Sequence, residues 1–172
     1  MDLKRNICDN VKECEIKIGY REEDMNLYYP RESLCELLSV EEDNLEEAIH
    51  SFCDSVKGEL GELIIEETEE KGRFCVRVPS AGVKYIHEHT EDSPFLRAFL
   101  KEIFKPGKRR EDIVNVFLRF SSDVAVEKIS EHEWGIYFQE PGIDSYVYYL
   151  EEDEFGLQYH RFTKSAYELI KK

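Results

Sequence analysis

A helix-turn-helix pattern followed by a β-hairpin, between Pro30 and His89, constrains the fold of this chain more than any other feature. Pro30 begins a short apolar segment with helical spacing, and an acidic turn at 41–44 separates it from a longer segment with the same repeat. Each apolar set falls on one side of a helix. The two sets are Leu34, Leu37 and Leu38, and Leu45, Ile49, Phe52, Cys53, Val56 and Leu60. Asn44 and Glu47 have the spacing of a capping box that would begin the second helix.

Two short segments with extended periodicity follow this second helix. Residues 62–68 and 73–78 flank a turn that ends at Gly72, a residue type that readily adopts positive φ. In the second segment apolar and polar residues alternate, as they do in a half-buried strand. The alternating residues are Phe74, Val76 and Val78 on one side, and Arg73, Cys75 and Arg77 on the other.

The remaining parts of the first half are predicted as a helix at each end and a connector. An amphipathic helix over 2–16, with Lys12 and Glu13 off its apolar stripe, is expected to stop near Gly19. Residues 20–29 are predicted as a connector whose aromatic side chains cover the edge of a core. The segment 83–86 is predicted as a short closing helix.

The second half begins at Ser93-Pro94, where a cap residue followed by proline predicts a helix start. Apolar stripes predict one helix up to Lys105 and another over 110–120. Four β-branched or aromatic segments then predict an antiparallel meander, and 164–170 a terminal helix that packs Ala166, Tyr167 and Ile170. The four segments are 124–129, 133–139, 145–150 and 157–162, with turns that include 151–154. The economical role for the many aromatic residues is a core against the two helices, although aromatic sheets also stack bases or sugars.

These elements predict an α+β fold with two domains. Residues 1–92 form a winged-helix-like module, and 93–172 form two helices with an antiparallel sheet. No apolar segment is long enough to cross a membrane and no secretory leader is present, so we expect a cytoplasmic protein. The five scattered cysteines form no Cys-x-x-Cys pair and are predicted to be free thiols.

The charge of −15 belongs almost wholly to the first half. Residues 1–92 carry 11 Lys or Arg and 24 Asp or Glu, whereas residues 93–172 carry 12 and 14. Attraction to phosphates supplies most of the non-specific affinity for nucleic acid. The net negative charge of the winged-helix-like half is therefore expected to repel DNA and RNA.

In the order and spacing of its elements, the region 2–89 resembles the winged helix-turn-helix superfamily. The whole chain fits an uncharacterised bacterial family. Membership of that superfamily usually implies DNA binding, but some of its members only bind proteins. The outward face of the second helix presents carboxylates where DNA readers place Arg, Lys, Asn or Gln. Its candidate interaction residues are Glu46, Glu47, His50 and Asp54.

These observations predict a non-enzymatic interaction or regulatory protein whose partner is another protein rather than nucleic acid. One alternative is a DNA-binding transcription regulator that acts through the wing and the basic loop at 105–110. Another is an acidic decoy that occupies a nucleic-acid-binding protein. An enzyme is disfavoured because no catalytic motif is present, although a site assembled from distant residues remains open. The sequence indicates no cofactor and leaves the oligomeric state undetermined.

Two further clusters have alternative interpretations. The basic patch of Lys105, Lys108, Arg109 and Arg110 has the chemistry to hold a phosphate or an acidic partner, or to dock on the acidic first half. It is equally typical of cations at a helix C-terminus or of a solvated loop. His87 and His89 have metal-ligand chemistry, but a spacing of two separates their rings on a helix, which disfavours a metal site.

Overall fold

The computed structural model describes residues 1–171 and shows the predicted α+β fold. The chain divides into two compact units, Met1–Asp92 and Ser93–Lys172. Each unit has its own antiparallel sheet, with three strands in the first and four in the second.

In the first unit a three-stranded sheet packs against helices. The elements are α1 (Leu3–Ile18), β1 (Met25–Pro30), α2 (Arg31–Leu38), a 3-10 turn (Glu42–Asn44), α3 (Leu45–Leu60), β2 (Ile64–Glu67), β3 (Arg73–Val78) and α4 (Ser80–His89). The sheet order is β1-β3-β2. Val76 in the central strand pairs with Leu27 in β1 and Ile65 in β2. The predicted order of helix, turn, helix and hairpin is therefore present, and Gly72 turns the hairpin at φ 81°.

The core of the first unit lies between one face of this sheet and the helices. The alternation predicted for β3 is confirmed, because Phe74, Val76 and Val78 are buried. Leu27 and Tyr29 extend the same face in β1. The apolar stripes of α1, α2 and α3 form the other side of the core. Their buried residues are Leu3, Ile7, Val11, Leu34, Leu37, Leu45, Ile49, Val56 and Leu60.

Two local predictions for the first unit are wrong. Residues 25–29, predicted as part of a connector, belong to strand β1, because the extended chain completes the sheet beside β3. The Asn44 side chain makes no capping hydrogen bond. The 3-10 turn leaves Asn44 at φ −104°, ψ 3°, whereas a capping residue is normally extended.

The second unit consists of two helices, a four-stranded meander and a terminal helix. The elements are α5 (Pro94–Ile103), α6 (Arg110–Leu118), β4 (Val124–Lys128), β5 (Glu133–Phe138), β6 (Tyr146–Asp153), β7 (Gly156–Thr163) and α7 (Lys164–Ile170). The strands pair in chain order, so the predicted meander is confirmed. Ser93 caps α5 as predicted, since its hydroxyl accepts a hydrogen bond from the Leu96 amide at 3.2 Å.

An aromatic core fills the space between α5, α6 and one face of the sheet, which confirms the predicted role of the aromatic residues. Phe95 lies at its centre, with ring centroids 4.7 Å from Phe117, 4.9 Å from Phe138 and 5.6 Å from Tyr148. Most of these contacts are edge-to-face, the arrangement that aromatic quadrupoles favour.

The opposite face of the sheet is covered by α7 through a single aromatic anchor. The Tyr167 ring lies directly over Gly135, where a Cβ atom would come within 2.0 Å of its hydroxyl oxygen. That hydroxyl donates to the Glu127 carboxylate at 3.0 Å, and Tyr137 and Lys171 donate to the same carboxylate at 2.7 and 2.8 Å. Glu127 therefore ties α7 to β4 and β5.

The ties around Glu127 predict an acid-sensitive docking of α7. Hydrogen bonds, from Lys171 first and then Tyr137, hold the pKa of Glu127 below its ordinary value of 4.5. A lowered pKa means that the stabilisation is present above pH 4.5 and is lost as the pH falls below it. We expect Glu127→Gln to weaken the pH dependence of unfolding in that acid window, as measured by urea titrations, while Glu152→Gln at the exposed end of β6 leaves it nearly unchanged. An unaltered pH profile in Glu127→Gln would contradict this assignment.

The C-terminal half also departs from the prediction at two places. The segment 151–154, predicted as a turn, is strand as far as Asp153, and the turn consists of Glu154 and Phe155. Backbone pairing with β7 extends the strand while its acidic side chains stay in solvent. Ile170, predicted to pack with Tyr167, is exposed because the seven-residue helix buries only Tyr167.

Candidate functional site

The acidic face predicted on the second helix of the helix-turn-helix lies in solvent on α3. Glu46, Glu47, His50 and Asp54 are all exposed. Apolar residues on the other side of α3 are buried, so packing fixes the direction of this face. The structure thus presents these carboxylates on a rigid element.

A cavity of about 380 Å³ adjoins this face, between the 3-10 turn, the first turns of α3 and the hairpin. Its lining consists of an apolar part and an acidic part. The apolar part is Leu45, Ile49, Ile65 and Phe74, and the acidic part is Glu42, Asp43, Glu46 and Glu67, with His50 and Arg31 beside them. Two of the four predicted interaction residues, Glu46 and His50, therefore line this cavity, whereas Glu47 and Asp54 lie outside it.

Arg31 is the one guanidinium in the cavity lining, and its charge is already matched. Its guanidinium lies 2.9 Å from a carboxylate oxygen of Glu67 and 5.2 Å from the centroid of the Phe74 ring. The Gly72 amide donates to the same Glu67 oxygen at 2.6 Å. These hydrogen bonds, from Gly72 first and then Arg31, hold the pKa of Glu67 below its ordinary value. The cavity therefore keeps a net negative rim.

The bases of the hairpin, the predicted wing, are partly neutralised in the same way. Arg73 contacts the Glu70 carboxylate at 2.9 Å and stacks over Tyr28, with its guanidinium carbon 4.9 Å from the ring centroid. Lys71 and Arg77 are exposed. Binding of a DNA duplex requires a basic surface along its phosphates. Two exposed bases beside a carboxylate-rich turn do not form such a surface.

The predicted basic patch lies between α5 and α6 and is only partly available to a ligand. Lys105 pairs with Glu102 at 2.6 Å. Arg110 pairs with Glu111 at 2.5 Å, and its guanidinium carbon lies 4.9 Å from the centroid of the Trp134 ring.

Lys108 and Arg109 carry the remaining charge of the patch, on the loop before α6. Asp112 accepts a hydrogen bond from the Arg109 backbone amide at 2.8 Å, so a carboxylate already occupies the N-terminus of α6. This arrangement disfavours a phosphate at that helix end, because the same amide groups would have to bind it.

The two neighbouring histidines lie on α4, as the sequence predicts, and point to different partners. His87 Nδ1 is 2.9 Å from Glu15 and its ring stacks on Tyr20, whereas His89 Nδ1 is 2.8 Å from the Tyr85 carbonyl. Across residues 1–171, no group of three or more His, Cys, Asp or Glu side chains has the arrangement of a metal site.

Sequence reasoning missed a buried charge cluster beside these histidines. Lys12, predicted on the polar side of α1, is only 6% exposed, and its ammonium lies 3.1 Å from Glu15 and 2.7 Å from Asp92. Glu13 is likewise buried and pairs with Lys17 at 2.8 Å. The periodicity of α1 did not reveal this cluster, because it assigns charged residues to the solvent side of a helix. Charged residues are rarely buried without such partners, and these partners are visible only in the folded structure.

The cysteines are free thiols in the structure, as predicted. Cys35 is buried and the other four are half-buried. Burial raises the pKa of the Cys8 thiol to about 11. The raised pKa is typical of an inert packing residue rather than a nucleophile.

Within residues 1–171, no helix has both the length and the apolar character that a bilayer crossing requires.

Comparison with known proteins gave a single kind of match. No curated protein and no solved structure matches the chain. A family model described as a domain of unknown function from E. rectale, DUF3877, matches residues 1–170. That match spans both units, and the chain therefore belongs to the DUF3877 family.

Proposed function

We propose that this protein is a non-enzymatic interaction module whose first unit binds a basic segment of another protein. The binding site is the cavity between the 3-10 turn, α3 and the hairpin. The observation that carries the proposal is its two-part lining, an apolar floor under a rim of carboxylates. Such a site suits a segment that places aliphatic or aromatic side chains on the floor and Lys or Arg against the rim.

The order of helix, turn, helix and hairpin supports a winged-helix-like identity for this unit, and its charge supports a protein partner. A recognition helix reads base edges with Arg, Lys, Asn or Gln and needs bases nearby on phosphate. The exposed face of α3 offers Glu46, Glu47 and Asp54 instead. Phosphate approaching this face meets like charge, whereas a basic peptide meets its complement.

Reversing two rim charges tests the proposal. The probe is a fluorescein-labelled peptide of alternating Lys and Leu residues, and the readout is fluorescence anisotropy of the full chain with the probe at low and moderate salt. We expect Asp43→Lys/Glu46→Lys to weaken binding by about tenfold or more, because two attractive charges become repulsive at short range. The control, Glu36→Lys/Glu88→Lys, makes the same change of net charge at exposed positions on α2 and α4, outside the cavity.

Equal weakening by the two double variants would overturn the proposal, because it would show attraction to overall charge rather than to the cavity. A labelled DNA duplex is the second probe. If the wild-type chain binds the duplex more tightly than the peptide and loses it with added salt, the transcription-regulator alternative replaces the proposal.

A further inference from the structure

A rigid hairpin tip in the second unit presents a bare aromatic side chain to solvent. Glu154 and Phe155 form the two-residue turn between β6 and β7, and Phe155 is 85% exposed. Asp153 holds the turn from both sides, accepting from the Phe155 amide at 2.8 Å and from the Gln158 side chain at 2.9 Å. Gly156 completes the turn at φ 115°. The tip is therefore preorganised, which lowers the entropic cost of binding through Phe155.

The strand that leads to this tip is strongly acidic. The exposed residues at the end of β6 and in the turn are Glu151, Glu152, Asp153 and Glu154. On the neighbouring strand, Glu133 lies directly opposite Glu151. Like charges at directly opposed positions destabilise a sheet.

The basic loop between α5 and α6 lies at the same end of this unit. Arg110 covers Trp134, and Trp134 pairs with Leu150, next to the acidic end of β6. The loop also exposes an aromatic side chain, Phe104, which is 64% exposed. Among residues 1–171, no hydrogen bond or ion pair engages the side chain of Lys108 or Arg109. One end of the unit thus carries an acidic patch and a basic patch, each with an exposed phenylalanine.

We propose that this end of the second unit is a self-association surface that pairs two copies of the chain about a two-fold axis. In the dimer the hairpin tip of each copy contacts the 104–110 loop of the other. Neighbouring patches of opposite charge are self-complementary under a two-fold operation, so one geometry satisfies both contacts at once. Phe155 and Phe104 supply the apolar centre, and the carboxylates and bases form the charged rim. This inference does not depend on the proposed function of the first unit.

Charge reversals in the two patches test the dimer, because only direct contact between the patches allows two reversed variants to restore each other's binding. Lys108→Glu/Arg109→Glu makes both patches acidic, and Glu151→Lys/Glu152→Lys/Glu154→Lys makes both basic. We expect the wild-type full chain to be dimeric at micromolar concentrations by sedimentation velocity, and less so as salt increases. Each variant alone should be monomeric, with a dimer Kd raised by about tenfold or more. An equimolar mixture of the two variants should form a heterodimer, because each acidic patch then meets a basic one.

Controls separate this contact from general charge effects. Lys71→Glu/Arg77→Glu makes the same charge change as the loop variant at exposed positions outside the surface and should leave the dimer intact. Phe155→Ser should raise the dimer Kd without altering the circular dichroism spectrum, since the side chain is already in solvent. A wild-type chain that stays monomeric up to about 100 μM, near the weak limit of specific association, would overturn the proposal. So would a mixture of the two folded reversal variants that fails to form a heterodimer.

Discussion

Phe95→Ala is expected to lower the free energy of unfolding of the second unit by about 4 kcal/mol. Phe95 is 1% exposed and lies at the centre of the aromatic core, where its ring contacts those of Phe117, Phe138 and Tyr148. Removing the ring loses its burial and leaves a cavity that the edge-packed neighbours cannot close, because each is also held by its own strand or helix.

Urea unfolding followed by tryptophan fluorescence measures this effect directly. Trp134 is the only tryptophan of the chain, and it is buried in β5 of the same unit. The control is Leu118→Ala, at a position that is 49% exposed, where the loss should stay below about 1 kcal/mol. A Phe95→Ala chain that unfolds at the wild-type urea concentration would show that the aromatic cluster does not stabilise this unit.

Gly82→Ala is expected to destabilise the first unit by about 2 kcal/mol or more, although alanine is the better helix former. Gly82 lies in the first turn of α4, where an added Cβ would approach the Leu60 carbonyl oxygen to 2.3 Å and Val78 Cγ1 to 3.1 Å. Helix propensity favours alanine over glycine by about 1 kcal/mol. The close contact involves backbone at the end of α3, so it cannot be relieved by a side-chain rotation, and overpacking exceeds the gain in propensity.

The matched control for this substitution lies inside α3. Gly58 has open space at its Cβ position, so Gly58→Ala should stabilise the protein by about 1 kcal/mol. Thermal unfolding followed by circular dichroism at 222 nm compares the two variants. Changes of the same sign in both would contradict the assigned role of the close contact between α3 and α4.

Local periodicity predicted most of the elements, and long-range contacts explain what it missed. The stripes of α3 and α5 and the alternation in β3 each repeat within one segment, so the sequence alone shows which face is buried. Strand β1 gave a weaker signal because its partner β3 lies far along the chain, and Tyr28 and Pro30 blur its alternation. The length of β6 was also missed, since its acidic end is extended by pairing with β7 rather than by burial.

The candidate site could be predicted only in part, for the same reason. Glu46 and His50 were found because they share the outward face of one helix. Arg31, Glu67 and Phe74 were not, since α2 and the two hairpin strands bring them to the cavity only when the unit folds. Periodicity reports which side of an element is buried, whereas a cavity depends on how several elements meet.

The β1-β3-β2 order leaves two strands at the rim of the first sheet, and both are poor templates for the strand of another molecule. At one rim, β1 ends in Pro30, which has no amide hydrogen to donate. At the other, β2 has only four residues, and its second half is Glu66 and Glu67. Short, charged or proline-terminated edges discourage strand recruitment. The unit is thereby protected against amyloid-like aggregation while its acidic helix face stays in solvent.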